Sequence, residues 1–147
     1  MEHFVYRKEG YMICTDPSLL NISYVHHYLS TESYWAKNIP LDIVKKSIAH
    51  SFNFGIYADS TQVGFARIVT DYATFGYLCD VFIDDGHRGK GLSKWLLSII
   101  DKHPALQGFR GWFLGTKDAH GLYAQFGYTA HPEPDRMMRK YNPNAYG

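Results

Sequence analysis

The chain has 147 residues, 46% of them hydrophobic and 20% charged, and a net charge of +1 with histidine neutral. That balance excludes disorder, and it lacks the electrostatic footprint by which proteins hold nucleic acid or an anionic membrane. The length fits a single domain, 1–147, with a core of its own.

The opening residues MEHFVYRKEG have no apolar core behind their basic residues, so no secretory leader is expected. No apolar run approaches the roughly 20 residues of a membrane span. Cys14 and Cys79 form neither a disulfide framework nor a zinc pattern, so a cytoplasmic setting is expected. None of the eight histidines lies three or four positions from another. No helix face can offer a pair to a metal, and none is expected.

Residues 3–7 and 10–15 read as short extended pieces. Asp16-Pro17 has the form of an N-cap with proline at the first helical position, and Ile22, Val25 and Leu29 share one helical stripe. Residues 30–40 connect to a second helix, opened by Pro40 and carrying Leu41, Val44 and Ile48 on one side. The periodicity then changes. Residues 54–71 predict two strands joined near Asp59–Thr61, and after a turn at Asp71–Thr74 residues 75–84 predict a third. Together they form an antiparallel meander.

Leu92, Trp95, Leu96, Ile99 and Ile100 then follow one helical face, which Pro104 ends. Residues 109–116 predict a strand. Strand, helix and strand in that order imply a parallel pair joined by a right-handed crossover. Asp118 is positioned to cap a short helix ending at Gly127, and the tail from Tyr128 to Tyr141 predicts one or two edge strands. The class is α/β, with a mixed sheet.

Between the third strand and its helix lies DDGHRGKGLSK. Gly86, Gly89 and Gly91 allow several backbone N–H groups to converge. The helix start adds partial positive charge, and Arg88 and Lys90 add full charges. This suits phosphate or pyrophosphate. The nucleotide-triphosphate loop pattern and the dinucleotide GxGxxG pattern are both absent.

The run Arg88-Gly89-Lys90-Gly91-Leu92-Ser93 resembles the acyl-CoA loop of the GNAT superfamily, (Arg or Gln)-x-x-Gly-x-(Gly or Ala). It departs only in Ser93. Leu122-Tyr123-Ala124-Gln125-Phe126-Gly127-Tyr128 is similar to a second family element, Leu-Tyr-x-x-Phe/Leu-Gly-Phe/Tyr. The resemblance covers nearly the whole chain. It implies a mostly antiparallel mixed sheet with a βαβ crossover, splayed central strands and helices on both faces.

It also implies acetyl-CoA as co-substrate. The pyrophosphate would rest on Arg88, Gly89, Lys90, Gly91, Leu92 and Ser93, and the pantetheine arm would pair with Val81, Phe82 and Ile83. Tyr123 matches the tyrosine that protonates the departing thiolate, and Thr116 stands where relatives carry an asparagine contacting the arm. Asp80 is the acid inside the central strand and a candidate base. Strict alternation groups it with Leu78 and Phe82, opposite Tyr77, although a bulge expected there would change the count. The base therefore stays open among Asp80, Tyr77 and water.

Tyr34, Trp35, Asp71, Tyr72 and Tyr77 are candidates for holding an amine, through cation–π contact at the first two. The implied function is transfer of acetyl to a primary amine of a small molecule or amino acid, by a monomer or homodimer. Alternatives are a longer acyl donor, a protein N-terminus as acceptor, and an acyl-CoA sensor without turnover.

Overall fold

The computed structural model describes residues 1–147. Strands β1 (Val5–Lys8), β2 (Tyr11–Cys14), β3 (Phe52–Ala58), β4 (Thr61–Thr70), β5 (Phe75–Ile83) and β6 (Gly111–Phe113) form one sheet in that order. Neighbours are antiparallel except β5 and β6, which are parallel. Helices α1 (Ile22–His27) and α2 (Leu41–Ala49) precede β3, α3 (Leu92–Lys102) makes the crossover, and α4 (His120–Ala124) follows β6. The meander and the crossover are those expected from the sequence.

Alternation along the strands builds two apolar layers. Ile13, Phe54, Ile56, Ala66, Ile68 and Leu78 pack with Leu96, Leu97 and Ile100 of α3. On the other side Phe65 and Phe82 pack with Val25 and Leu29, and with Val44 and Ile48 of α2. The sheet is thus covered on both faces. Asp59 and Ser60, with φ of 49° and 73°, make the two-residue turn from β3 to β4, a geometry that suits the right-handed twist of paired strands.

Several expectations fail locally. Asp16 caps only a single tight turn, Pro17–Leu19, by accepting from Ser18 N–H at 2.9 Å. The helix proper starts after Asn21, whose side chain accepts from Tyr24 N–H at 3.0 Å. Asn21 is thus a second, competing cap. Asp118 caps nothing at α4, where the Thr116 hydroxyl accepts the Ala119 N–H at 3.1 Å instead.

The strand expected over 109–116 is regular only from Gly111 to Phe113. The tail adds no strand: it makes a tight turn at Pro134–Arg136 and another over 143–146, and every residue from Thr129 onward is exposed. With no apolar face to bury, that segment has nothing to hold it in the sheet.

Candidate active site

The junction between β5 and α3 encloses a cavity of about 370 Å³. It is lined by Ile83, His87, Arg88, Gly89, Gly91, Leu92, Ser93, Lys94 and Leu122. Gly89 and Gly91 have φ of 76° and 77°. This left-handed backbone turns successive N–H groups toward one point and strains any residue with a Cβ. From Gly89 to Lys94 no backbone N–H donates to an acceptor in the chain. Six consecutive free donors at the start of an eleven-residue helix make a cradle for an anion. A Cβ at Gly89 or Gly91, which both line the cavity, would meet no protein atom within 4 Å, so the room beside them is open to a ligand. The cradle fits a pyrophosphate.

β5 and β6 pair only through Phe75–Tyr77 and Gly111–Phe113. β5 runs on to Ile83 while β6 stops. The central strands therefore splay, and the β6 side of Val81, Phe82 and Ile83 is left without a strand partner. The Phe82 side chain is committed to the core, stacked on Tyr28 with centroids 3.8 Å apart. Phe82 can therefore serve an arm running along this stretch only through its main chain.

The register with β4 slips between Phe65 and Arg67, so that Phe65 faces Phe82 while Arg67 faces Cys79. The extra residue is a bulge around Asp80, whose φ is 55°. Strict alternation, which groups Asp80 with Leu78, fails here. Leu78 faces the α3 layer, whereas Asp80 lies on the side of α1 and α2, as Phe82 does. Its carboxylate accepts from Arg67 Nε and from Trp35 Nε1, each at 2.8 Å. Arg67 also donates to the Ser51 hydroxyl at 3.0 Å.

Trp35 reaches Asp80 because α1 runs into a wide turn, in which Ser33 N–H donates to Tyr28 C=O at 3.0 Å. Tyr34 packs edge-on against Trp35, and its hydroxyl accepts the Lys117 N–H at 2.9 Å. Tyr123, on α4, is 9% exposed; its main chain is hydrogen-bonded within the helix, while its hydroxyl has no partner in the chain. Burial, then the neighbouring Tyr34 and Asp118, push its pKa above the ordinary phenol value.

The acetyltransferase (GNAT) family model matches residues 22–128. The chain belongs to this family. A protein of Gibberella zeae described as a candidate acetyltransferase is 32% identical over 150 residues, which span 86% of this chain and 84% of that one. The crystal structure of a candidate GNAT-family acetyltransferase from Xanthomonas campestris pv. campestris is 47% identical, with a TM-score of 0.91. It covers 95% of this chain and 99% of its own. The crystal structure of a candidate acetyltransferase with acetyl-CoA from Clostridium acetobutylicum shares the fold at 13% identity, with a TM-score of 0.58 and coverage of 90% and 94%.

Several residues singled out by the GNAT pattern have definite local roles. Arg88 keeps its side chain for the protein: it donates to Ile83 C=O at 3.0 Å and to the Tyr28 hydroxyl at 2.9 Å, and pairs with Asp85 at 2.7 Å. It braces the loop, and its own N–H donates to Asp85 C=O at 3.4 Å, so the free amides begin at Gly89. Lys90 lines a neighbouring cavity of about 360 Å³ with Lys8, Glu9, Tyr11 and Trp95. Thr116 caps α4.

Asp71 accepts from Ala73 N–H, Thr74 N–H and the Thr74 hydroxyl, and these bonds hold its carboxyl well below the usual range. Tyr72 packs on Phe52, on the α3 side. Neither Asp71 nor Tyr72 joins Trp35 and Asp80. Tyr77 is 41% exposed and sits beside Val69 and Phe113 on the open end of the sheet. His87, Lys94 and Leu122 line the cavity without having been singled out from the sequence. His87 adjoins the loop pattern and Leu122 opens the second motif. Lys94 had only its place in the first turn of α3 to mark it.

Proposed function

We propose that this GNAT-family protein transfers the acetyl group of acetyl-CoA to a primary amine of a small molecule or amino acid. The observation that carries the reading is the run of free amides from Gly89 to Lys94 around an open cavity. Beside it lies the unpaired edge of β5. The amides hold the pyrophosphate, and the main chain of Val81 to Ile83 holds the pantetheine arm.

The amine nitrogen attacks the thioester carbonyl carbon. A C–N bond forms, and the C–S bond breaks with its electron pair on sulfur. Tyr123 gives its proton to that sulfur, and its raised pKa keeps it protonated until then. The phenolate regains a proton from water. Asp80, with both oxygens already accepting hydrogen bonds, is a positioning residue that fixes Trp35 at the acceptor side. The amine proton leaves to water. The cavity and both aromatics of the Tyr34-Trp35 pair favour an organic amine over a polybasic chain, as does the near-neutral net charge.

Release of free thiol from acetyl-CoA, followed with a thiol reagent across a panel of amines, amino acids and peptide N-termini, tests this. Amine-dependent thiol release with a small amine is the expected result. Tight CoA binding without thiol release from any acceptor would favour a sensor instead.

A further inference from the structure

The loop that forms the cradle is fastened from outside by a contact that belongs to neither sequence motif. The Tyr11 hydroxyl, on β2, lies 2.8 Å from Nδ1 of His87, with the rings edge to face at 5.7 Å. His87 is in the tight turn Asp85–His87 and lines the cavity. Its main chain donates to Asp84 C=O at 2.9 Å, so the turn itself is set.

The direction of the hydrogen bond follows from chemistry. A phenol O–H is far more acidic than a neutral imidazole N–H, and a pyridine-type nitrogen is a better acceptor than a phenol oxygen. Tyr11 therefore donates and Nδ1 accepts. The imidazole proton is then fixed on Nε2, the ring nitrogen left free for a ligand. Were the ring protonated, Tyr11 would accept and Nε2 would still carry its proton. In both states Nε2 carries an N–H on a residue that lines the same cavity as the free amides.

We infer that His87 is a pyrophosphate ligand, donating from Nε2, and that Tyr11 is a positioning residue that sets its tautomer. The inference rests on the proposed use of CoA. A hydrogen bond to a charged oxygen is worth about tenfold in affinity. His87→Ala should weaken CoA binding about tenfold by calorimetry. It should leave the KM for S-acetylpantetheine, which has no pyrophosphate, unchanged. His87→Gln places an amide N–H near the position of Nε2 and should recover most of the affinity.

The tautomer has its own readout. Nitrogen-15 spectra of the wild type should show Nδ1 as pyridine-like and Nε2 as protonated, with the Nε2 resonance shifting on CoA addition. Tyr11→Phe should mix the tautomers and weaken CoA binding a few-fold, again sparing S-acetylpantetheine. Equal CoA affinity in wild type and His87→Ala would overturn the inference while leaving the CoA reading intact. So would equal losses for CoA and S-acetylpantetheine, which would make His87 a prop for the loop. A wild-type chain that binds no CoA would remove both readings together.

Discussion

Asp80 and Tyr123 are the two titratable groups with roles in the proposed chemistry, and their surroundings separate those roles. Asp80 and Arg67 are mostly buried, with side chains 9% and 18% exposed. Removing one member of such a pair leaves the other's charge without compensation, at a cost of about 3–5 kcal/mol. Asp80→Ala should therefore lower stability by about 3 kcal/mol, read from urea unfolding. Asp80→Asn keeps the left-handed backbone that asparagine tolerates and should lower kcat less than tenfold. A loss beyond a hundredfold in a stable Asp80→Asn protein would make the carboxylate the base. Tyr123→Phe should lower kcat by about 10²-fold, the usual scale for one proton donor, and leave CoA affinity alone. Equal turnover would assign the proton to water.

Cys79 adjoins Asp80 but is chemically quiet. Burial pushes its pKa up to about 11, the Arg67 charge only partly opposing this, and the thiol donates weakly to Arg67 C=O at 3.5 Å. Its thiolate fraction at neutral pH is about two orders of magnitude below that of a free cysteine. Native-state alkylation with iodoacetamide, followed by mass spectrometry, should be slowed to that extent. Rapid labelling would contradict the burial.

Among the elements, the β5–α3 connection carries the most of the proposed function in the fewest residues. Gly91, with φ of 77°, caps α3 and keeps the space beside it clear. A side chain there costs about 1–2 kcal/mol in backbone strain without clashing with protein. Gly91→Val should stay folded by circular dichroism while CoA binding falls more than tenfold. Gly86 has no such backbone requirement, and a methyl group added there would meet nothing within 4 Å, so Gly86→Ala should change neither stability nor affinity. Unchanged affinity in folded Gly91→Val would take this loop out of the mechanism. The bulge in β5 matters in a different way. By inserting one residue it flips the parity of the strand, and so moves a carboxylate from the α3 side to the side of Trp35.

At the scale of the whole molecule, His103 marks where the N-terminal hairpin, the sheet and the end of α3 meet. It is 1% exposed and ringed by Phe4, Tyr6, Phe52 and Phe54. Nδ1 accepts from Ala105 N–H at 3.1 Å, so Nε2 carries the proton and has no polar partner. Burial lowers its pKa from the ordinary histidine value. The contribution to stability is therefore present above the unfolded pKa of about 6.5 and is lost as pH falls through the folded value. Urea midpoints should drop below about pH 6.5, and His103→Asn, which keeps an acceptor for Ala105, should flatten that dependence. An unchanged pH profile in His103→Asn would place the acid sensitivity elsewhere. No helix of the protein is long and apolar enough to cross a membrane.

The sequence alone determined what is local and periodic. Alternation in 54–71 and 75–84, the 92–100 helical stripe and the three glycines between strand and helix are near-neighbour effects, so the strand meander, the crossover and the loop of free amides were legible. The motif around Tyr123 was legible for the same reason. Three features depended on contacts distant in sequence. The side of the sheet on which Asp80 lies rests on a one-residue bulge against β4, which parity counting cannot see. The partners of Asp80, Trp35 and Arg67, are 45 and 13 residues away. The ring of His87 is set by Tyr11, 76 residues earlier. Composition and spacing record which groups a chain owns; only the packing of the sheet decides which of them face one another.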